Sequence, residues 1–315
     1  MDSNEQIVYH IPALASQSIE GLNINPAGTY VDVTFGGGGH SRLIINSLGN
    51  DGRLFGFDQD MDAYANRIDD ARFTFVHGNF RYLENFLRYY GVKQVDGILA
   101  DLGVSFHHFD DGERGFSFRS ADAPLDMRMS RDNALDAQKV VNTYDVDRLT
   151  DIFRLYGELK NARRMADVIV KSRSLRRIEK IADFLDIIRP LINPRSEKKE
   201  LAQVFQALRM EVNHEVDALQ EFLEQTLHVL RPGARLAIIT YHSIEDRMVK
   251  NFMRSGRIDG KVESDFFGRR LSPLTLINNK PIIADDEEVE RNPRSRSAKL
   301  RVAKKNISDN ERRQY

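Results

Sequence analysis

Tyr30–Ser41 reads YVDVTFGGGGHS. Six β-prone residues run into four glycines, and the next apolar residues, Leu43, Ile44 and Leu48, repeat at helical spacing up to Gly49. Strand, glycine turn and helix in that order open a parallel α/β sheet. The glycines let the backbone approach a ligand, and the helix N-terminus offers unpaired N–H groups. Arg53–Asp58 (RLFGFD), Phe73–His77 (FTFVH) and Gly97–Asp101 (GILAD) read as further short strands. Helical patterns such as Tyr82–Tyr90 (YLENFLRYY) separate them, so the crossovers are right-handed.

The alternation stops after Gly103. Up to Pro124 the chain is rich in Gly, Asp, Phe and Arg without a period and reads as an ordered loop. From Ala134 to Ile192 it is helical, with Leu149, Ile152, Phe153, Tyr156, Met165, Val168 and Ile169 at three- and four-residue spacing. Glu197–Leu230 continues as a long amphipathic helix, kinked or divided near Asn213. Arg231-Pro232-Gly233 stops it, and Arg235–Tyr241 (RLAIITY) restarts the strands. Roughly a hundred helical residues inside an α/β pattern predict an inserted domain, with boundaries at 1–105, 106–212 and 213–315.

Composition narrows the chemistry. The 315 residues include no Cys, which excludes disulfides, thiolate zinc sites, iron–sulfur clusters and a Cys nucleophile, and suits a reducing, cytoplasmic setting. The N-terminus lacks a basic segment followed by an apolar one, so no secretory signal is expected. No apolar run approaches the ~18–20 residues that cross a bilayer. His107 and His108 are adjacent, but neighbouring residues rarely co-ligate, and no metal site is expected.

Asp58 closes the second strand about 20 residues after the glycines, where a carboxylate can accept both ribose hydroxyls. By itself this means a nucleoside-containing cofactor. A nicotinamide dehydrogenase is disfavoured because Ser41 stands at the last position of G-x-G-x-x-G. Phe80 follows the third strand, where it can flank a purine, and Asp101 ends the fourth in the crevice where such sheets bind ligands. Leu230-Arg231-Pro232-Gly233 before the fifth strand is a hallmark of S-adenosylmethionine-dependent methyltransferases of the Rossmann-like class, which is the fold class predicted.

Seven motifs then carry a resemblance: Asp32–Ser41, Asp101–Ser105 (DLGVS), Glu113–Phe118 (ERGFSF), Pro124–Met129 (PLDMRM), Phe205–Arg209 (FQALR), His242–Lys250 (HSIEDRMVK) and Asn292–Arg301 (NPRSRSAKLR). From His10 to about Ala303 the chain resembles the ribosomal RNA small-subunit methyltransferase H family, also called MraW. That resemblance implies methylation of the N4 amine of a cytosine in the decoding region of 16S rRNA, with S-adenosyl-L-methionine as cofactor and the small ribosomal subunit as partner. Carried over by position, the cofactor contacts would be Gly38, Gly39, His40, Asp58, Phe80, Asp101 and position 108, where His108 replaces the usual Gln. Other departures are Lys199–Gln203 (KELAQ) for His-Pro-Ala-x-Arg, Leu159 for the second Glu of Tyr-Gly-Glu-Glu, Tyr241 for Phe in Phe-His-Ser, and Gln17 for an acid.

An exocyclic cytosine amine is a weak nucleophile, so its N–H bonds must be accepted and the methyl held in line at about 3–3.5 Å. Asp101 and Ser105 are the nearest candidates, and His242 can take the proton or serve as a structural turn residue. The target base must be unstacked; Phe106, Phe109, Phe116 and Phe118 either stack on it or seal the insertion. Arg114, Arg119, Arg128 and two basic runs are expected to grip RNA. Those runs are Phe153–Lys180, with nine basic residues against three acidic, and Arg291–Lys305, with seven against none. The formal net charge of −1 is thus a sum of opposites, since Asp285–Glu290 holds five acids. Fold features alone leave open a related enzyme acting on DNA or another RNA, and a non-catalytic RNA-binding assembly factor. Intact Gly38, Gly39, Asp58 and Asp101 argue against the last.

Overall fold

A computed structural model describes residues 12–103, 112–264, 266–268 and 270–307. The chain forms two compact units, one of Met1–Gly103 with Asp217–Tyr315 and the other of Val104–Val216.

The first unit is built on a mixed sheet. Strands β1 (Thr29–Asp32), β2 (Arg53–Asp58), β3 (Phe73–His77), β4 (Val95–Asp101) and β5 (Leu230–Thr240) lie parallel in the order β3-β2-β1-β4-β5. Antiparallel β10 (Lys299–Lys305) follows on β5, and short strands β8 (Leu274–Leu276) and β9 (Ile282–Ile283) pair with it. Central strands of such a sheet are covered on both faces and must be apolar throughout. Leu236, Ala237, Ile238 and Ile239 are accordingly fully buried. Helices α1 (Ala15–Leu22), α2 (Gly39–Ser47) and α3 (Leu83–Tyr89) belong to the same unit. The strand order reverses between β1 and β4, and that switch point opens the ligand crevice at the strands' C-terminal ends. The five parallel strands form the Rossmann-like α/β sheet expected from the alternation.

The sheet differs from expectation at two places. Strand β5 begins at Leu230, so Pro232 and Gly233 lie inside it. A register shift against Val95–Gly97 absorbs the proline, and Gly233 adopts a φ of +86°. Strand β10 lies within the basic tail. Leu300, Val302 and Ala303 are buried there, Arg301 pairs with Asp246 at 2.7 Å, and Lys305 donates to the Leu227 carbonyl. These tail residues are structural, and the expectation of a uniformly RNA-gripping run is corrected accordingly.

The second unit is helical: α4 (Ala137–Thr143), α5 (Val146–Leu155), α6 (Ala162–Arg173), α7 (Ile181–Ile188) and α8 (Glu197–Val212). The long pattern divides where the sequence reading placed it. His214 has a left-handed φ of +50°, and α9 (Glu215–Val229) starts afresh. Phe116 is buried in this unit's core with Leu125, Met127, Phe153 and Phe184, and the Phe118 ring meets Phe205 at 5.7 Å. Stacking of Phe116 on a flipped base is therefore ruled out by burial. Arg114 is buried too, its guanidinium donating to the carbonyls of Arg128 and Met129. Arg128 is occupied by Asp126 and by the carbonyls of Arg131 and Asn133, while Arg119 is exposed. Arg114 and Arg128 thus hold a loop together in this structure, contrary to the phosphate contacts expected of them.

Candidate active site

Between β1 and α2 the chain must reverse within a few residues, and two glycines make this possible with φ of +50° (Gly36) and +73° (Gly38). A Cβ at Gly38 would sit 2.9 Å from the Phe35 ring, whereas one at Gly37 would meet nothing within 4 Å. The turn thus presents open backbone at the entrance of α2, where helix N–H groups attract negative charge. Gly39 packs against Pro12, which a Cβ would approach to 3.1 Å.

The β2 end is bound to this turn. Asp58, partly exposed, accepts from the Gly36 N–H at 2.8 Å and the Asp60 N–H at 2.9 Å. One strand further, Asn79 donates to Gln59 at 2.8 Å, and Phe80 is half-buried with its ring 5.3 Å from Phe222. An acid at one strand end and an aromatic face at the next sit as the sequence placed them.

A buried polar cluster fills the switch point. Asp32, 1% exposed, accepts from Ser41 Oγ at 2.7 Å and from the Thr34 N–H at 3.1 Å. Thr34 Oγ1 in turn accepts from the Asp101 N–H at 2.6 Å, joining β1 to β4. The His40 ring is buried, with Nε2 3.0 Å from the Ala13 carbonyl and Nδ1 3.7 Å from Asp101 Oδ2. Asp101 is 20% exposed at its side chain, yet its Oδ1 is buried and makes no hydrogen bond among the described residues. Burial pushes the Asp101 carboxyl above its usual range, and Asp32 adds to this against the pull of His40 and Tyr241. Burial raises Asp32 as well. The Tyr241 phenol is pushed up by burial and by the Asp101 carboxylate it faces.

Of the residues singled out from sequence, Gly38, Gly39, His40, Asp58, Phe80 and Asp101 line the C-terminal ends of β1–β4 and the turn between β1 and α2. Ser105 and His108, with Phe106 and Phe109, lie outside the described residues. His242 is the N-cap of helix α10 (Ser243–Ser255): its Nδ1 faces the Glu245 N–H at 3.5 Å and its Nε2 lies 2.9 Å from Glu245 Oε1. The Nδ1 contact is that of a one-way N-cap, while Glu245 Oε2 accepts from the Tyr241 N–H at 3.2 Å and the buried Nε2 makes no hydrogen bond among the described residues. Asp32, Thr34, Ser41 and Tyr241 were missed. Ser41, read only as a break in a dinucleotide fingerprint, is the donor that holds Asp32.

The pieces fit an adenosine-bearing donor: open glycine backbone, a carboxylate at the β2 end for hydroxyls, an aromatic face for a purine, and an acid with an unmet acceptor atom.

The MraW methylase family matches residues 7–306. Three bacterial proteins bearing the name Ribosomal RNA small subunit methyltransferase H are similar over nearly their whole length. The one from Bacteroides thetaiotaomicron is 60% identical over 301 residues, covering 96% of this chain and 99% of its own. That from Parabacteroides distasonis is 61% identical over 298 residues, covering 94% and 97%. That from Porphyromonas gingivalis (strain ATCC 33277) is 54% identical over 306 residues, covering 96% and 98%.

Proposed function

The chain belongs to the MraW methylase family, and from that premise we propose that it methylates the N4 amine of a cytosine in 16S rRNA, nucleotide 1402 of the decoding region. S-adenosyl-L-methionine supplies an electrophilic methyl on a sulfonium. The glycine turn, Gly38 and Gly39 with the backbone of His40, holds the methionine end of this donor at the start of α2. Asp58 takes the ribose and Phe80 packs on the adenine.

Asp101 Oδ1 is the observation that carries the reading. A buried carboxylate oxygen without a partner is costly, and this one, which finds none among the described residues, stands at the switch point beside the glycine turn. It suits an amine N–H: by accepting one proton of the N4 group it turns the nitrogen toward the methyl and disfavours uracil, which offers an acceptor at that position. The amine proton leaves after transfer, and Asp101, with its raised pKa, can receive it. His242 remains a second candidate for the proton, although its place as a helix cap beside Glu245 favours a structural role. Ser105 stays a candidate for the second N–H. No helix among the described residues is long and apolar enough to cross a membrane, as fits an enzyme of ribosome maturation.

Small subunits lacking the modification, incubated with labelled S-adenosylmethionine and then digested to nucleosides, test the proposal. Wild type should place label in N4-methylcytidine, and Asp101→Ala should place none. Label in another nucleoside, or in none with wild type, refutes it.

A further inference from the structure

Helix α10 turns one cationic stripe to solvent. Ile244, Glu245, Met248, Val249, Phe252 and Met253 are buried against the sheet unit. Arg247, Lys250 and Arg254 are exposed, and with 3.6 residues per turn they fall on a single line. Asp246 is turned inward to Arg301 and Lys299, and its charge is felt by Lys250 as well, so it offsets the stripe only in part. The stripe runs roughly 10 Å along the helix, at 1.5 Å per residue, away from the end of β5 where Tyr241 faces Asp101. At its far end the Arg254 guanidinium donates to the Gly260 carbonyl at 3.2 Å. That bond ties the helix to the segment entering a two-stranded hairpin, β6 (Glu263–Ser264) with β7 (Arg270–Leu271).

The hairpin carries the second, independent feature. Phe266 and Phe267 are 97% and 80% exposed, with ring centroids 5.8 Å apart and planes at 88°. Burying a Phe side chain contributes about 1.5–3 kcal/mol, and the fold forgoes this twice at adjacent positions. Cations that follow a phosphate backbone, joined to aromatic faces on which bases stack, are the two components of sequence-tolerant binding of unpaired nucleic acid.

We propose that the outer face of α10 and the Phe266–Phe267 pair form a track for an unpaired rRNA segment flanking the target base. This rests on the rRNA reading above and adds to it a surface that neither basic run includes. The cations set a salt-dependent grip, and the two rings stack on bases whatever their sequence.

Two variants separate the components. Binding is measured on small subunits and on the same rRNA stripped of protein, across a salt series, with wild-type methylation of the particle as reference. The triple variant Arg247→Gln/Lys250→Gln/Arg254→Gln should flatten the slope of log K against log salt by about 2, at about 0.7 per cation on single strands. Phe266→Ala/Phe267→Ala should weaken both substrates at least about tenfold at every salt concentration and leave the slope unchanged. Phe266→Leu/Phe267→Leu, apolar but non-aromatic, should fail to restore binding. S-adenosylmethionine affinity and Tm should match wild type in all three. Unchanged affinity in either the triple or the double alanine variant overturns the track. A loss on particles but not on stripped rRNA overturns it in favour of a ribosomal protein contact. Wild type that does not methylate the particle refutes the underlying rRNA reading instead.

Discussion

Replacing Asp101 by Asn pulls catalysis and stability in opposite directions, because the site and the fold make conflicting demands on this carboxyl. Its Oδ1 is buried without a hydrogen bond among the described residues, its Oδ2 lies 3.7 Å from the His40 ring, and burial raises its pKa. The folded protein therefore keeps the Asp101 proton to a higher pH than the unfolded chain does. The stability this contributes is complete below the unfolded value, 3.8, and is lost as pH rises through the raised folded value. Above that folded value the ionised group works against folding. An unsatisfied buried polar group costs about 1–3 kcal/mol, more if charged. An amide of the same shape removes the charge, and we expect Asp101→Asn to gain about 1 kcal/mol. For a body of this size that raises Tm by about 2–4 °C. Methyl transfer moves the other way, since an amide accepts an N–H weakly and cannot take the proton, so kcat should fall about 10²–10⁴-fold. Melts of the free protein at several pH values and single-turnover transfer to small subunits measure both. The Tm gain should shrink toward acid pH, where the wild-type carboxyl is itself protonated. A lowered Tm at neutral pH, or a kcat within about threefold of wild type, refutes this double role of Asp101.

Gly38→Ala forces an L-residue to a φ of +73° and drives its Cβ to 2.9 Å from the Phe35 ring. Denaturant unfolding should show a loss of about 1–3 kcal/mol, and titration calorimetry at least about tenfold weaker S-adenosylmethionine binding. His242→Asn keeps a capping side chain while His242→Ala removes it, so thermal melts should show a loss of about 1 kcal/mol for Ala alone. A kcat deficit near 10² or more in both variants would instead make His242 the proton acceptor. Arg301→Met breaks a buried pair and leaves Asp246 with Lys299 at 3.7 Å, so equilibrium unfolding should show a loss of about 3 kcal/mol. Although burial pushes Asp246 up, Arg301 holds it below its usual range. The pair's stabilisation is therefore present above the unfolded pKa and lost as pH falls through the lowered one, and Arg301→Met should weaken that acid limb, leaving what Lys299 and Lys250 contribute. Arg176→Gln/Arg177→Gln removes two pairs made by exposed arginines, with the partly buried Asp183 and the exposed Glu179. Its unfolding free energy should stay within about 1 kcal/mol of wild type, while the salt slope of rRNA binding falls by about 1.4.

The parallel strands were legible because burial on both faces writes itself as short apolar runs closed by Gly or Asp. RLFGFD and GILAD end at Asp58 and Asp101, which is where β2 and β4 end. Strand β10 was not legible. KLRVAKK has more cations than large apolar residues, and what makes it a strand is its neighbour β5, some sixty positions away. Pro232 misplaced the start of β5 for a related reason: a residue without an N–H donor looks like a boundary unless a register shift in the partner strand is known. In the site, the glycine turn and the strand-end acids follow from local spacing. The contact between His40 and Asp101 and the orphaned Oδ1 arise only once β1 and β4 lie side by side, so no window of sequence contains them.

The two basic runs show why charge has to be weighed after folding. In Arg291–Lys305 alternation along β10 sends Arg301 into an ion pair with a partly buried helix carboxylate, and Lys299 and Lys305 are drawn to Asp246 and a backbone carbonyl. A cation fixed in this way cannot release counterions from RNA without unmaking the sheet edge, so it adds stability rather than affinity. In Phe153–Lys180 the arrangement is reversed. The periodicity of α6 buries Met165, Ala166 and Ile169 and leaves Arg163, Arg164 and Lys171 outside, where pairs such as Arg163 with Asp147 are solvent-screened and contribute little. Such cations can exchange a carboxylate for a phosphate at almost no cost to the helix. Lys299, Arg301 and Lys305 thus serve the fold, whereas Arg291, Arg294, Arg296 and Lys304 of the same run are exposed, as are Arg163, Arg164 and Lys171 of α6. What separates them is whether the secondary structure turns a given side chain toward a core.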